Sequence, residues 1–287
     1  MALGRPRLRR PGGLHDRARR LPRRVEGGDE LNPDPLSLRG STHDVGGLPV
    51  WFRRLSEAPA GSPKVLLLHG GLSDSRVFEP LARRLAVDHD LWAYDRRAHG
   101  RTPDIDGPLG FEQMLAEAVA MIEGPIGGPV HVVGHSDGAS LGLMLATRRP
   151  ELVSSVAAFS GNLDPSGMAP STLSRAELAE ALVAAVAPDY AAVSPDGVGH
   201  LAVVVDKAVA LWYSEPSLTP DDLARITCPV LVACGERDSI ERAHTLSIHA
   251  AIDGARLVVV AGTGHMQVAE APEACAALVA ELVAGSR

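Results

Sequence analysis

The chain has 287 residues, 45% of them of apolar type, and a net charge of −7, which suits one large α/β domain with an insertion or two modest domains. Its apolar runs, such as Leu257 to Ala261, are strand-sized and far short of the ~20 residues that a membrane-spanning helix needs. Residues 1–24 hold nine arginines against one acid, so the remainder sits at 19 − 34 = −15, and an acidic body excludes the clustered cations of a nucleic-acid-binding surface.

Residues 1–40 are rich in Arg, Pro and Gly without apolar periodicity and read as a disordered basic tail. The pairs Arg9-Arg10 and Arg19-Arg20 lack the apolar stretch that an export signal places after them. From Thr42 the pattern alternates strand and helix, starting with a hairpin that turns at Gly46-Gly47 and returns along Leu48 to Leu55. A buried strand over Lys64 to Leu68 runs into His69-Gly70-Gly71, followed by an amphipathic stretch from Ser75 to Ala86 and a short strand, Leu91 to Tyr94. Helix Phe111 to Glu123, strand Val130 to Gly134, helix Gly138 to Arg149 and strand Leu152 to Phe159 continue the rhythm.

Residues 161–226 interrupt it with a loop from Gly161 to Pro170, helical patterns over Ser174 to Ala187 and Pro195 to Trp212, and a short segment, Pro220 to Ile226. The alternation resumes with strand Pro229 to Cys234, helix Ile240 to Ala251, strand Arg256 to Val260 and helix Ala271 to Val283. Such alternation implies a mostly parallel central sheet flanked by helices. The expected organisation is therefore a tail over 1–40, core over 41–160, a small helical cap over 161–226 and core again over 227–287.

Gly134-His135-Ser136-Asp137-Gly138 matches G-x-S-x-G, between the strand VHVV and a helix rich in small residues. A nucleophile on such a strand-to-helix turn has strained backbone angles, and glycines two positions to either side let strand and helix approach closely. On this motif, on His69-Gly70-Gly71, and on Asp95-Arg96-Arg97-Ala98-His99-Gly100-Arg101, the chain resembles the α/β-hydrolase superfamily from about Gly47 to Ala284. Ala98 stands where that family usually has Gly, and Thr102 near its usual Ser.

The resemblance implies the α/β-hydrolase fold with Ser136 as nucleophile. A serine hydroxyl needs a base to take its proton. Of the eleven histidines, His265 in Gly262-Thr263-Gly264-His265-Met266 follows the last strand, where the family carries its base. His135 points away on the sharp turn, His69 and His99 are structural loop residues, and His131 is buried in its strand. Asp238, in Cys234-Gly235-Glu236-Arg237-Asp238, gives the order Ser, Asp, His expected of this fold and would orient the imidazole. Glu236 and Asp164 remain alternative acids. The oxyanion hole is expected from the N–H of Asp137 and from that of Gly71 or Leu72. The Asp137 carboxylate is then a helix N-terminal charge that points away from the site.

No H-E-x-x-H or H-x-H-x-D-H is present, no Walker loop and no G-x-G-x-x-G after an early strand, so neither a metal nor a cofactor is expected. Three cysteines without a C-x-x-C pair suggest a reducing cytoplasm rather than a disulfide framework. Ser136 argues against the epoxide and haloalkane chemistry that an Asp nucleophile would bring. The expected activity is cleavage of an ester-like bond, carboxylic ester, lactone or thioester, of a small apolar molecule through an acyl-enzyme. C–C hydrolysis on the same triad and a small-molecule receptor on a hydrolase scaffold are the alternatives. Met168, Tyr190, His200, Trp212 and Tyr213 are candidate pocket residues from the cap. The expected partner is a small-molecule substrate, with no nucleic acid and no membrane, and a homodimer is left open.

Overall fold

The structure, a computed structural model, describes Met1 and residues 40–286; residues 2–39, which hold nearly all of the expected tail, lie outside the described residues. Gly46 and Gly47 take positive φ, 62° and 92°, the backbone that a two-residue hairpin loop demands and that glycine adopts without a Cβ clash. Strand β1 (Ser41–Val45) therefore folds back antiparallel on β2 (Leu48–Arg54). Then come β3 (Lys64–Leu68), α1 (Glu79–Leu85), β4 (Asp90–Tyr94), α2 (Phe111–Met121), β5 (Val130–His135), α3 (Asp137–Arg148) and β6 (Val153–Phe159). Helices α4 (Arg175–Val193), α5 (Leu201–Trp212) and α6 (Pro220–Leu223) follow. The chain closes with β7 (Val230–Gly235), α7 (Arg242–Ala251), β8 (Arg256–Val260), α8 (Gln267–Glu270) and α9 (Pro272–Gly285).

The eight strands form one sheet in the order β1-β2-β4-β3-β5-β6-β7-β8. Pairing is antiparallel through β1, β2 and β4 and parallel from β4 to β8, the mostly parallel, helix-flanked sheet that the alternation implies. Because side chains alternate across a strand, Val65 and Leu67 of β3 enter one core with Leu81 of α1 and Val279 of α9. Leu66 and Leu68 enter the opposite core with Met114 of α2, Leu141 of α3 and Ile248 of α7. Both layers are sealed by strands buried on two faces, and the carboxyl ends of β3, β5, β7 and β8 feed the loops that carry the candidate site.

The interrupted stretch departs from its expected bounds. Pro188 lies inside α4, which runs on to Val193 rather than ending at Ala187. Proline forfeits one intrahelical bond, yet α4 packs along α5, and tertiary packing outweighs local propensity. Helix α5 begins only at Leu201, after a tight turn over Val198–His200. Ala98, the departure from the family loop, has φ 61°, the left-handed backbone that explains why a glycine is usual there. Thr102 takes a structural role: its hydroxyl donates to the Asp95 carbonyl at 2.5 Å and accepts the Trp51 N–H at 2.9 Å.

Candidate active site

Strand β5 passes into α3 through Ser136 at φ 53°, ψ −120°, a conformation that costs a non-glycine residue and survives only where its surroundings fix it. Backbone hydrogen bonds fix it here: the Ser136 N–H donates to Phe159 O at 2.8 Å, and its carbonyl accepts from the Ala139 N–H at 2.8 Å and the Ser140 N–H at 3.1 Å. Close packing does the rest. A Cβ on Gly134 would lie 2.2 Å from Gly138 O, and one on Gly138 would lie 2.0 Å from Leu68 O, so neither glycine admits a side chain without backbone movement.

The loops after β7 and β8 meet beside this turn. A Cβ on Gly235 would stand 2.0 Å from Gly264 O, and this close approach brings Asp238 to His265. The His265 Nδ1 to Asp238 Oδ1 distance is 2.7 Å, and that from His265 Nε2 to Ser136 Oγ is 3.0 Å. Asp238 also accepts the Gly235 and Ile240 N–H groups, each at 3.0 Å, and the Ser160 hydroxyl. Burial works to raise its carboxyl, but the His265 and Ser160 hydrogen bonds prevail and hold it down at about 2. Asp238 is therefore an anion across neutral pH. The other two acids do not reach the imidazole: Glu236 accepts the Gly262 N–H at 2.8 Å, and Asp164 caps a turn through Ser166 N at 2.8 Å.

The remaining histidines serve the frame. His135 Nε2 donates to His265 O at 2.8 Å, so this side chain, turned away from the nucleophile, holds the backbone of the histidine loop. Burial first, then the field of His265, lowers His135 to about 4. His69 accepts the Arg96 N–H at 3.0 Å and binds Gly70 O through Nδ1 at 2.7 Å. Burial and then the Arg96 cation depress it well below the usual imidazole range, and the same causes take His99 to about 3. His131 is buried against Ser155 Oγ at 2.8 Å.

Gly71, Leu72 and Asp137 share a wall of one cavity with Ser136 and His265. Leu72 sits at φ 52°, turning the chain back past the serine. The Asp137 carboxylate does not point away from the site as the sequence suggests but is bound to Trp212 of the cavity wall. It accepts Trp212 Nε1–H at 3.1 and 3.2 Å and lies 3.7 Å from the Nη2 of the fully buried Arg96. A helix N-terminus, an indole donor and a buried cation together make an anion tolerable there.

The cavity measures about 650 Å³. Of the cap residues expected around it, Met168 and Trp212 line it. Tyr190, His200 and Tyr213 do not: Tyr190 is buried, His200 pairs with Asp104 at 2.8 Å, and Tyr213 is exposed beneath Arg175. Leu178, Leu182 and Val186 of α4 form its apolar side. Sequence reasoning misses these three, although their spacing of four residues puts them on one helix face. It misses Ser160 too, which no local motif marks. Among the described residues no helix is long and apolar enough to cross a membrane.

Chemically, a neutral imidazole at 3.0 Å from Oγ can accept the serine proton while an anionic carboxylate holds its other N–H. Residues 65–278 match the model of the alpha/beta hydrolase family. A pimeloyl-[acyl-carrier protein] methyl ester esterase of Neisseria meningitidis serogroup B is 27% identical over 262 residues, 81% of this chain and 97% of that protein. The rhodomycin D methylesterase DnrP of Streptomyces peucetius is 34% identical over 120 residues, 40% of each chain. An abhydrolase domain-containing protein of Schizosaccharomyces pombe is 31% identical over 104 residues, so that the match spans only 38% of its length. Among solved structures, the enol-lactonase from Burkholderia xenovorans LB400 superposes with a TM-score of 0.69 at 22% identity, covering 85% of this chain and 99% of that one.

Proposed function

The chain belongs to the alpha/beta hydrolase family, and from that premise we propose that it is a serine hydrolase that cleaves a carboxylic ester, or a lactone or thioester, of a small apolar molecule. The observation that carries this reading is the hydrogen-bonded line from Ser136 through His265 to Asp238 at the wall of a largely apolar cavity. The names of the two methyl-ester-cleaving relatives support ester chemistry.

In this mechanism Ser136 Oγ attacks the substrate carbonyl carbon as His265 Nε2 takes its proton, and Asp238 steadies the imidazolium through Nδ1. The carbonyl oxygen becomes an oxyanion that accepts from the Asp137 N–H and the N–H of Leu72 or Gly71. Collapse breaks the bond to the leaving oxygen or sulfur, which takes the proton from His265 and departs, leaving acylated Ser136. Water, deprotonated by the same imidazole, then attacks the acyl carbon; the C–Oγ bond of this second adduct breaks, the carboxylic acid leaves and His265 returns the proton to Ser136 Oγ. Residues 161–226 act as a cap whose α4 face, Leu178, Leu182 and Val186, selects apolar substituents. The free thiols Cys228, Cys234 and Cys275 fit a reducing, cytoplasmic setting.

A panel of p-nitrophenyl acetate and butyrate, simple lactones and thioesters, offered to wild type and Ser136→Ala, tests this reading. Many cycles per active site on at least one class, abolished in Ser136→Ala, is the expected result. Stoichiometric release without turnover would point to a receptor, and undiminished activity in Ser136→Ala would end the proposal.

A further inference from the structure

Ser160, the residue after β6, is 1% exposed and belongs to no motif, yet its hydroxyl donates to Asp238 Oδ2. Having given up its single proton, the hydroxyl is left to accept, and Gln267 Nε2 donates to it at 2.7 Å. Gln267 is 0% exposed and stands two residues past His265. The pair thus ties the loop that carries the acid to the loop that carries the imidazole, across 78 residues in one link and 107 in the other. With the Gly235 N–H also on Oδ2, and Ile240 N–H and His265 Nδ1–H on Oδ1, all four acceptor positions of the carboxylate are used.

The backbone of Ser160 adds an independent observation. Its φ is 54°, the left-handed region that costs an L-residue with a Cβ roughly 1–2 kcal/mol and glycine almost nothing. The fold holds it there through the Ser160 N–H to Ala233 O bond at 2.8 Å. A glycine would satisfy that backbone more easily, so what serine contributes at this position is its hydroxyl.

We propose that Ser160, itself held by Gln267, is a positioning residue of the reaction: it fixes the rotamer of Asp238 and disperses its charge, and so sets the orientation and basicity of His265. This rests on the triad reading above. Without the hydroxyl, the negative charge of Asp238 falls more heavily on His265 Nδ1–H, which favours imidazolium, while the loosened carboxylate orients the ring less well. Glu270 accepts the neighbouring Gly264 N–H at 2.7 Å, and His135 faces His265 with ring centroids 5.0 Å apart. A pKa of about 4 leaves His135 neutral through the range of interest.

The test uses the full chain, with p-nitrophenyl butyrate as substrate and a fluorophosphonate as label, on wild type, Ser160→Gly, Ser160→Ala and Gln267→Met. In Ser160→Gly, kcat should fall about tenfold or more with KM changed less than about twofold. The acid limb of kcat/KM should move up by about half a pH unit, while Tm stays within a few degrees of the wild type, because relief of the positive φ offsets the lost hydrogen bonds. Ser160→Ala should share the kinetic loss but melt below Ser160→Gly, and Gln267→Met should show a smaller loss in the same direction. Wild-type kcat and pH limb in Ser160→Gly, or a loss of activity that only tracks a fall in Tm, overturns the proposal. A wild type that does not label at Ser136 overturns the triad reading and this proposal with it. One that labels and turns over beside an unimpaired Ser160→Gly overturns this proposal alone.

Discussion

Acidification should unfold this protein through its buried histidines, and His135 allows the effect to be measured one residue at a time. Its imidazole is 2% exposed and titrates at about 4 in the folded chain against 6.5 when free. Between those values the unfolded chain binds a proton that the native state does not, so stability declines as pH falls from 6.5 towards 4 and levels off below. At about 1.36 kcal/mol for each pH unit crossed in that window, His135 alone removes about 2 kcal/mol between pH 7 and pH 5. His99, at about 3, acts in the same direction. Asp95 and Glu117, whose carboxyls burial pushes up, act in the opposite one, so the difference between two proteins isolates His135 better than the total slope. Urea unfolding of wild type and His135→Phe at several pH values from 7 to 5 is the assay. The phenyl ring cannot bind a proton, so the variant should lose about 2 kcal/mol less than the wild type across that range, whatever its stability at pH 7. Parallel pH slopes in the two proteins would refute the reasoning.

Asp238→Asn should lower kcat by about 10⁴-fold with little change in KM, because the amide favours the wrong imidazole tautomer; steady-state kinetics beside Asp164→Asn, which should be mild, checks the assignment of the acid. Gly138→Ala should cost about 3 kcal/mol or more in denaturant unfolding, since the new methyl would meet Leu68 O at 2.0 Å and backbone cannot step aside as a side chain can. Trp212→Phe keeps a ring against the cavity but leaves the Asp137 carboxylate without its indole donor, and thermal or urea melts should register a loss of about 1–3 kcal/mol.

Much of this architecture is legible in the sequence because local patterns and global fold agree. The period-two and period-3.6 runs place nearly every core element within a few residues, and Gly134 and Gly138 around Ser136 announce a turn that only a tight strand-to-helix crossing requires. His265 and Asp238 are legible by their places after the last two strands, and the structure brings both to Ser136. What escapes depends on contacts between distant segments. Nothing near Asp137 foretells that Trp212, 75 residues on, donates its indole N–H to that carboxylate. Ser160 looks like an ordinary loop serine until the fold sets it against Asp238 and Gln267. Helix α4 outruns the sequence pattern at Pro188 because packing against α5, and not the local proline rule, decides its length. Leu178, Leu182 and Val186 are within reach of the helical period, but only the fold marks them as pocket residues.

Covalent labelling asks the central question most directly, because only an activated serine reacts rapidly with a fluorophosphonate. After incubation of the full chain with the reagent, intact-mass and peptide mapping should find a single adduct on the peptide holding Gly134 to Gly138. That adduct should vanish in Ser136→Ala and form far more slowly in His265→Ala, with ester hydrolysis lost in step with labelling. An adduct on a different serine, or undiminished hydrolysis in the fully labelled protein, would contradict the account.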